Sequence, residues 1–408
     1  MKKPNRNMVL LMIIFLSFAS LGLPDGIIGV AWPAVRSAFG LPLESLGVLT
    51  TILLCMSAIS SFFSGRIVSF FGTGKVVFIS AAMTGSALLG YSISGNFLWL
   101  LMFTLPLGLG QGAVDSGLNR YVADHYQPRH MNWTHCFWGV GATVGPLIMT
   151  KALMNGNEWR MGYQVISIVQ LVIAAVLYLS ILKGYWEERQ EHMTEEEKEQ
   201  IRINEETGMS SVRSQIIAML LFFVYSGMEL SMGVWTSSVL LESRHMSVSL
   251  TGLASAFLYA MIMVGRLLSG FIVSKIGNKR MIRVDFAVAL VGMICIGMVK
   301  TDAGAIIGIV LVGLGFASIF PGLMYETPIR FKKKVSNQLI GYQVGAASLG
   351  GSAVSSVIGV ILSHFGLELL YPILIALLIV TFLINEALNR CAASVAANSG
   401  KLELEPNQ

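Results

Sequence analysis

The sequence predicts an all-α integral membrane protein with twelve transmembrane helices in two pseudo-symmetric bundles of six. Three observations support this prediction: 54% of the 408 residues are hydrophobic and only 12% are charged, the charges gather between long apolar runs, and the two halves align with each other. A soluble domain carries about a quarter charged residues, roughly twice the fraction here. This composition excludes a soluble enzyme, a nucleic-acid-binding module and a disordered scaffold.

Twelve apolar runs are long enough to cross a bilayer, which takes about 20 mostly apolar residues per helix. The predicted spans are 8–34, 44–70, 75–94, 97–123, 131–154, 161–182, 214–240, 249–274, 281–299, 303–327, 338–364 and 369–389.

One long polar segment separates spans six and seven, running from Lys183 to Arg213. Within it, Thr194-Glu195-Glu196-Glu197 is typical of a helix capping box, so we expect a solvated surface helix rather than a partner-binding element. The predicted organisation is an N-terminal bundle at 1–182, a cytoplasmic linker at 183–213, a C-terminal bundle at 214–389 and a cytoplasmic tail at 390–408.

Lys and Arg residues are divided unequally between the two sides of the predicted membrane. Positive charge collects on the cytoplasmic side of membrane proteins, so both termini are expected in the cytoplasm and the protein in the cell membrane. The same rule explains the net charge of +5 without an anionic partner. The opposite side receives only Arg36, Lys151, Arg160, Arg244 and Lys300.

The two halves of the chain align at a shift of 205 residues. Chance alignment of apolar helices would match leucines, whereas this alignment matches glycines and loop residues. Two parallel six-helix repeats around a central binding site are typical of secondary transporters. The matches include Gly47 with Gly252, Leu53 with Leu258, Met56 with Met261, Gly65 with Gly270, Gly72 with Gly277, Gly108-Leu109-Gly110 with Gly313-Leu314-Gly315 and Gly117-Leu118 with Gly322-Leu323.

The turn after span two carries the sequence Gly65-Arg66-Ile67-Val68-Ser69-Phe70-Phe71-Gly72-Thr73-Gly74-Lys75, with a repeat copy from Gly270 to Arg280. It resembles the loop signature of the major facilitator superfamily. Ser69 and Phe70 replace the usual acidic and basic residues of that signature. The resemblance therefore implies the major facilitator fold, with a weakened or rebuilt form of the salt-bridge latch that secures the outward-open form in the family.

Three further stretches resemble the fucose–galactose–proton symporters and the vertebrate sodium-dependent glucose transporters. They are 112–119 on span four, 135–146 on span five and 225–235 on span seven. In those symporters, acids at the positions of Asp25 and Asp115 belong to the coupling and substrate machinery. The resemblance implies import of a small polar solute, with a monosaccharide expected, by proton or sodium symport and rocker-switch alternating access.

Asp25 follows Pro24 in span one and lies within Gly22-x-x-x-Gly26. An ionisable residue in a bilayer costs a few kcal/mol, so it marks a candidate functional site. A kinked helix with small residues leaves room for water and a close neighbour. Asp25 can therefore bind a cation or take up a proton, or, alternatively, serve as a protonated residue that holds two helices together.

Gln111, Asp115 and Asn119 recur every four residues on span four, and His135 and Trp138 share a face of span five. Residues at this spacing lie on one face of a helix. Carboxylate and amide oxygens accept from sugar hydroxyls, amide nitrogens donate to them, and an indole ring can stack on a sugar. Alternatively, the three polar residues of span four make a polar contact between helices, and His135 is a packing residue.

Glu229 in span seven falls on Asp25 at a shift of 204 and is the third predicted ion-coupling residue. Arg266 is the lone cation deep in the second half, and we expect a structural ion pair with either Glu229 or Asp285. Tyr225 and Trp235 on the same span offer an aromatic wall with a hydroxyl. The remaining substrate-binding candidates, which are equally compatible with plain packing, are Tyr259, Tyr342 and Gln343.

Two other functions fit parts of the sequence. A proton/drug antiporter is the main alternative, since it would also use an acid in span one and the glycine-proline run 141–146. Its cavity should be apolar, whereas span four is rich in amides. A sensor that no longer transports is the second alternative, motivated by the altered loop signature.

An enzyme is not expected, because neither His-Glu-x-x-His nor Gly-x-Ser-x-Gly occurs. We expect no cofactor or metal apart from the co-transported ion, no nucleic acid, and a monomer in a lipid bilayer.

Overall fold

The computed structural model describes residues 6–25, 27–41, 45–154, 158–186, 208–246 and 248–402. Across these residues, twelve segments are long and apolar enough to cross a membrane. Apart from one isolated bridge between Met209 and Phe331, the regular structure of these ranges is helical. The predicted all-α, twelve-span fold class is confirmed.

Fourteen α-helices build the twelve spans of the described chain. They are α1 (Arg6–Gly22), α2 (Ile27–Phe39), α3 (Ser45–Phe71), α4 (Thr73–Ile93), α5 (Phe97–His125), α6 (Pro128–Met154), α7 (Trp159–Leu182), α8 (Val212–Ser238), α9 (Val248–Ile276), α10 (Asn278–Met298), α11 (Asp302–Phe316), α12 (Ile319–Arg330), α13 (Lys333–Phe365) and α14 (Leu370–Leu402). A π-helical turn (Val239–Ser243) follows α8, and a 3-10 turn (Leu367–Leu369) precedes α14.

The first and tenth spans are broken helices rather than continuous ones. The first breaks over 23–25, as the position of Pro24 predicts, because proline lacks the N–H that a helix interior needs. The tenth breaks at Ala317 and Ser318, between α11 and α12. The predicted span 303–327 lies within the observed one, Asp302–Arg330, and its interruption is a feature that the hydropathy of the run does not indicate. Pro321 provides the reason, since it cannot donate to the carbonyl of Ala317 four residues earlier.

The ends of the chain's central linker pack against helix ends. Trp186 donates from Nε1 to Ser180 Oγ at 2.7 Å and covers Gly74 at the start of α4. Met209 N donates to Arg330 O at 2.9 Å, beside Phe331. The predicted capping box lies outside the described residues. Much of the predicted tail is helical, since α14 continues to Leu402.

Two compact units make up the chain. The first comprises 1–121 and 134–191, and the second comprises 122–133 and 192–408. The core of the first unit includes Leu23, Trp32, Leu88, Tyr91 and Tyr163, all at most 6% exposed. In the second unit α8 packs along α13, and α10 along α11.

The same close helix crossing occurs in each unit. A Cβ placed on Gly108 of α5 would lie 2.5 Å from Leu53 O of α3. A Cβ on Gly313 of α11 would lie 2.7 Å from Leu258 O of α9. Both pairs are related by the 205-residue shift, so the matched glycines mark backbone-to-backbone packing at equivalent points of the two units.

Candidate functional site

The break in the first span lies against α6. A Cβ on Gly141 would overlap Ala19 O, and one on Gly145 would overlap Leu23 O. The glycines of α6 therefore let the broken segment approach backbone to backbone, as small residues do at membrane helix interfaces. This close approach places Asp25, at the end of the break, beside α6.

Both carboxylate oxygens of Asp25 accept hydrogen bonds from predicted site residues. Trp138 Nε1 of α6 donates to Oδ2 at 2.9 Å, and Gln111 Nε2 of α5 donates to Oδ1 at 3.3 Å. Neither donor carries a charge. These two bonds orient the carboxylate without supplying a positive charge to balance it.

Asp115 and His135 are joined through Asn119. Asn119 Nδ2 donates to Asp115 Oδ1 at 2.7 Å, while Asn119 Oδ1 lies 2.9 Å from His135 Nε2. Because the amide nitrogen faces an acceptor, the amide oxygen faces the ring, and His135 Nε2 is the donor of that pair. The edge of the His135 ring also contacts Phe18, with ring centroids 5.2 Å apart.

Together these side chains form one polar cluster in the first unit. The two acids, Gln111 and Trp138 are partly exposed, whereas Asn119 and His135 are buried. The partly exposed members can meet a solute, while the buried two hold Asp115 in place. The members of this polar cluster are Asp25, Gln111, Asp115, Asn119, His135 and Trp138.

A buried polar chain beneath α1 was missed by the sequence analysis. Ser20 Oγ donates to Gln170 Oε1 at 2.9 Å, and Gln170 Nε2 donates to Thr84 Oγ1 at 2.8 Å. This chain ties α1 to α7 and α4 one turn before the break. The available signal was Gln170 itself, a glutamine among the otherwise apolar residues 168–177.

Arg266 in the second unit has Glu229 as its carboxylate partner, with NH2 and Oε1 3.7 Å apart. The Arg266 side chain is 5% exposed and that of Glu229 is 23% exposed. Arg266 Nε donates to Ala317 O at 3.2 Å, at the break of the tenth span. It thereby supplies the hydrogen bond that Pro321 cannot make.

Three predicted substrate-binding residues direct their polar atoms into the second unit. Tyr225 is fully buried and donates to Phe316 O at 3.0 Å. Trp235 Nε1 donates to a backbone carbonyl of α13 at 3.0 Å. Gln343 is also buried, and its Oε1 accepts from Thr327 at 2.9 Å. These contacts fix helix packing around the Glu229–Arg266 pair.

The other two candidates are more accessible. Tyr259 is 52% exposed, and its hydroxyl lies against Gly233, one turn beyond Glu229. Tyr342 is partly buried, with its hydroxyl 3.5 Å from Gln338 Oε1. Of the predicted residues in the second unit, Tyr225 and Gln343 are buried, whereas Glu229, Trp235, Tyr259 and Tyr342 are at least partly exposed.

The altered loop signature keeps its glycine turn, and the two replaced positions, Ser69 and Phe70, make no ion pair because neither side chain is charged. Gly72 and its mate Gly277 have φ of 80° and 84°, which only glycine adopts readily. Ser69 Oγ donates locally to Arg66 O at 2.8 Å, and Phe70 is 81% exposed.

The signature copy in the second unit is contacted by the segment 122–133. Trp133 Nε1 donates to Leu267 O at 3.3 Å, and the indole covers Gly270. In the same unit, Lys333 Nζ lies 3.0 Å from Asp124 Oδ1. Trp133 is therefore the residue of this segment that contacts the signature copy, while Asp124 pairs with the first residue of α13.

The family model described as Major Facilitator Superfamily matches residues 11–355. The chain belongs to the Major Facilitator Superfamily. Among curated relatives, the glucose/mannose transporter GlcP of Bacillus subtilis (strain 168) is 21% identical over 274 residues, covering 66% of this chain and 67% of GlcP. The chain is thus a multi-pass membrane transporter of this superfamily.

Two solved structures share its fold. The proton:xylose symporter XylE has a TM-score of 0.75 at 16% identity, covering 92% of this chain and 94% of XylE. FucP in the outward conformation has a TM-score of 0.75 at 12% identity, covering 94% of this chain and 99% of FucP. At these identities the likeness establishes the fold alone.

Proposed function

We propose that this major facilitator superfamily transporter imports a monosaccharide by symport with a proton or sodium ion. The observation that carries the proposal is the polar cluster of the first unit. It combines two carboxylates, two amides and an indole among apolar helices, and its partly exposed members both accept and donate hydrogen bonds. The protein acts as a carrier, without an enzymatic reaction or a resident cofactor.

A polyhydroxylated ring fits the chemistry of this cluster. Asp25 and Asp115 accept from sugar hydroxyls, Gln111 both accepts and donates, and the Trp138 ring provides a flat apolar surface. The corresponding candidates in the second unit are the partly exposed residues Glu229, Trp235, Tyr259 and Tyr342. The names of GlcP, XylE and FucP as transporters of hexose, xylose and fucose support this substrate class.

Coupling follows from the charge of the acids within the membrane spans. Asp25 has two neutral donors, so ionising it leaves a negative charge that nothing in these two bonds compensates. Loading it with a proton or sodium ion removes that cost and favours the substrate-occluded state. A ligand shifts a conformational equilibrium only if it binds one state more tightly than the other. The preference of the loaded acid for the occluded state is therefore what couples the ion to the solute.

The proposed cycle is rocker-switch alternating access by the two repeats, with Asp25, Asp115 and Glu229 as coupling acids. The protein would reside in the cell membrane as a monomer, with both termini in the cytoplasm, as the distribution of Lys and Arg indicates.

Counterflow of radiolabelled glucose, galactose and fucose in proteoliposomes tests this function. Counterflow needs binding and alternating access but no net ion movement. We expect Asp25→Asn or Asp115→Asn to retain counterflow and to lose uptake driven by a proton or sodium gradient. Asp302→Asn, an exposed acid at the start of α11, is the matched control and should retain both activities. Absence of counterflow for every sugar would overturn the substrate class.

The drug-antiporter alternative is based on an acid in span one, which the symport function uses as well, and on the glycine-proline run of α6. Gly141 and Gly145 in that run have a packing role against the broken first span, which explains their presence without drug transport. Ethidium efflux from loaded vesicles separates the two functions. Efflux driven by a proton gradient, together with absent sugar counterflow, would favour the antiporter.

A further inference from the structure

Helices α10 and α14 of the second unit lie side by side and run in opposite directions. Arg283 of α10 donates from Nε and Nη2 to the two carboxylate oxygens of Glu386 at 3.0 and 2.7 Å. Three residues later on α10, the ring of Phe286 contacts that of Phe382, with ring centroids 5.6 Å apart. Residue numbers on α14 therefore fall as those on α10 rise.

An exposed arginine lies on each of these helices, one turn from the Arg283–Glu386 pair. Arg280 precedes Arg283 by three residues and Arg390 follows Glu386 by four, so the antiparallel arrangement places both on the same side of the pair. Arg280 directly precedes predicted span nine, and Arg390 directly follows predicted span twelve. These two boundary arginines, Arg280 and Arg390, therefore lie at one edge of the membrane, on the side predicted to be cytoplasmic.

Positive charge is in excess at this edge. Glu386 is paired with Arg283, and the buried carboxylate of Glu326 lies 3.9 Å from both Lys279 Nζ and Arg330 Nε. Each of the two acids thus already has a cationic partner. In the described part of the chain, the boundary arginines have no carboxylate within ion-pair distance. Their charge is therefore available to a partner outside the chain.

The equivalent place in the first unit carries less charge. At the 205-residue shift Arg280 keeps a cationic mate, Lys75, whereas the Arg283–Glu386 pair and Arg390 correspond to uncharged residues. These uncharged mates are Phe78, Ile181 and Tyr185. Both units cross the membrane, so crossing it does not require this cluster. The positive-inside rule explains the side on which the cations lie but not their concentration in one unit.

An exposed apolar stripe runs along each helix from its boundary arginine toward the opposite side of the membrane. The stripe residues follow one another at three or four positions, which keeps them on one helical face. The stripe of α10 comprises Val284, Ala287, Val291 and Ile294, and that of α14 comprises Ala376, Val380, Leu383 and Ala387. Two apolar stripes that begin at adjacent arginines match a molecule with two hydrocarbon chains and one anionic group.

We propose that α10 and α14 bind an anionic phospholipid, with its phosphate at Arg280 and Arg390 and its acyl chains along the two stripes. A guanidinium group suits a phosphate because its planar donors match two phosphate oxygens. Basic sites between transmembrane helices bind anionic headgroups in this way. A zwitterionic lipid brings its own cation and leaves the excess positive charge uncompensated. The site does not depend on which solute the protein carries.

Native mass spectrometry of the purified full-length protein in detergent measures bound lipid directly. We expect phosphatidylglycerol to bind at lower lipid concentration than phosphatidylcholine with the same acyl chains. Arg280→Gln/Arg390→Gln should abolish this preference. Lys151→Gln/Lys300→Gln is the matched control, because it removes two exposed cations on the opposite predicted side, and it should keep the preference.

Equal binding of the two lipids to the parent protein would overturn the proposal, as would a preference that survives Arg280→Gln/Arg390→Gln. If that variant fails to fold, the comparison on the parent protein decides the question.

Thermal unfolding separates a lipid from a free anion. Phosphatidylglycerol should raise the unfolding temperature of the parent protein, whereas inorganic phosphate should not, and equal stabilisation by phosphate would contradict a lipid site. Neither measurement uses a sugar. Absent sugar counterflow would therefore count against the proposed function, and an absent preference for phosphatidylglycerol would count against the lipid site.

Discussion

Ser61 and Arg266 are repeat mates, 205 residues apart, that donate to equivalent backbone carbonyls. Ser61 Oγ lies 3.1 Å from Gly112 O, and Arg266 Nε lies 3.2 Å from Ala317 O, which is 205 residues beyond Gly112. The two helices that provide these carbonyls differ, since α5 is continuous whereas α11 ends there. The second unit has therefore replaced a hydroxyl with a guanidinium at the point where its helix is interrupted.

Removing the Arg266 side chain should strongly destabilise the protein. Arg266→Leu leaves Glu229 without its cation and Ala317 O without its donor, and breaking a buried pair costs about 3–5 kcal/mol. Thermal unfolding of the purified protein in detergent measures the loss. The double variant Glu229→Gln/Arg266→Leu should recover part of it. The exposed Arg283→Leu is the control, and an Arg266→Leu protein as stable as that control would contradict the role assigned here.

Restoring a backbone donor at position 321 should lessen the dependence on Arg266. Pro321 corresponds to Ser116 at the 205-residue shift, and Pro321→Ser returns the N–H that a continuous helix would direct at Ala317 O. A double-mutant cycle with Arg266→Leu measures the coupling. We expect Arg266→Leu to cost about 1 kcal/mol less in the Pro321→Ser background, the worth of one hydrogen bond. Additive losses would show that the two changes act independently.

Trp138→Phe should weaken solute binding while keeping the aromatic ring. The variant removes the N–H that donates to Asp25 Oδ2. The Asp25 carboxylate then loses one of the two donors that orient it toward a sugar hydroxyl, so the half-saturating sugar concentration in counterflow should rise. Trp99→Phe, half exposed on α5, is the matched control. An unchanged half-saturating concentration would mean that the indole N–H does not help to place Asp25 for binding.

Adding a methyl group to Gly141 should destabilise the first unit. Its Cβ would overlap the backbone carbonyl of Ala19, which cannot move without shifting α1. Overpacking of this kind costs about 1–3 kcal/mol. Gly29→Ala is the control, because a Cβ there meets nothing within 4 Å and alanine favours the helix. Equal thermal stability of the Gly141→Ala and Gly29→Ala proteins would contradict the close approach of α1 and α6.

The sequence predicts the spans well because the length of an apolar run is a local property of the chain. It predicts the first break from Pro24, but not the second, because hydropathy reports the length of the tenth run rather than its continuity. The four-residue spacing of Gln111, Asp115 and Asn119 correctly predicts one shared face in the α-helix α5. Their partners in the break of the first span and on α6, and the chain through Gln170, depend on which helices are neighbours, and that information is not local.

Each end of the linker contacts the half of the polypeptide to which it is joined. Trp186 covers Gly74 in the first half, and Met209 lies beside Phe331 in the second half. A cut anywhere in 187–207 would leave both of these anchoring contacts intact on the separate fragments. The covalent connection is then dispensable for holding the linker ends in place. Two co-expressed polypeptides, divided within this range, should each insert as a six-span fragment and complement one another, which makes the transporter suitable for split-protein experiments.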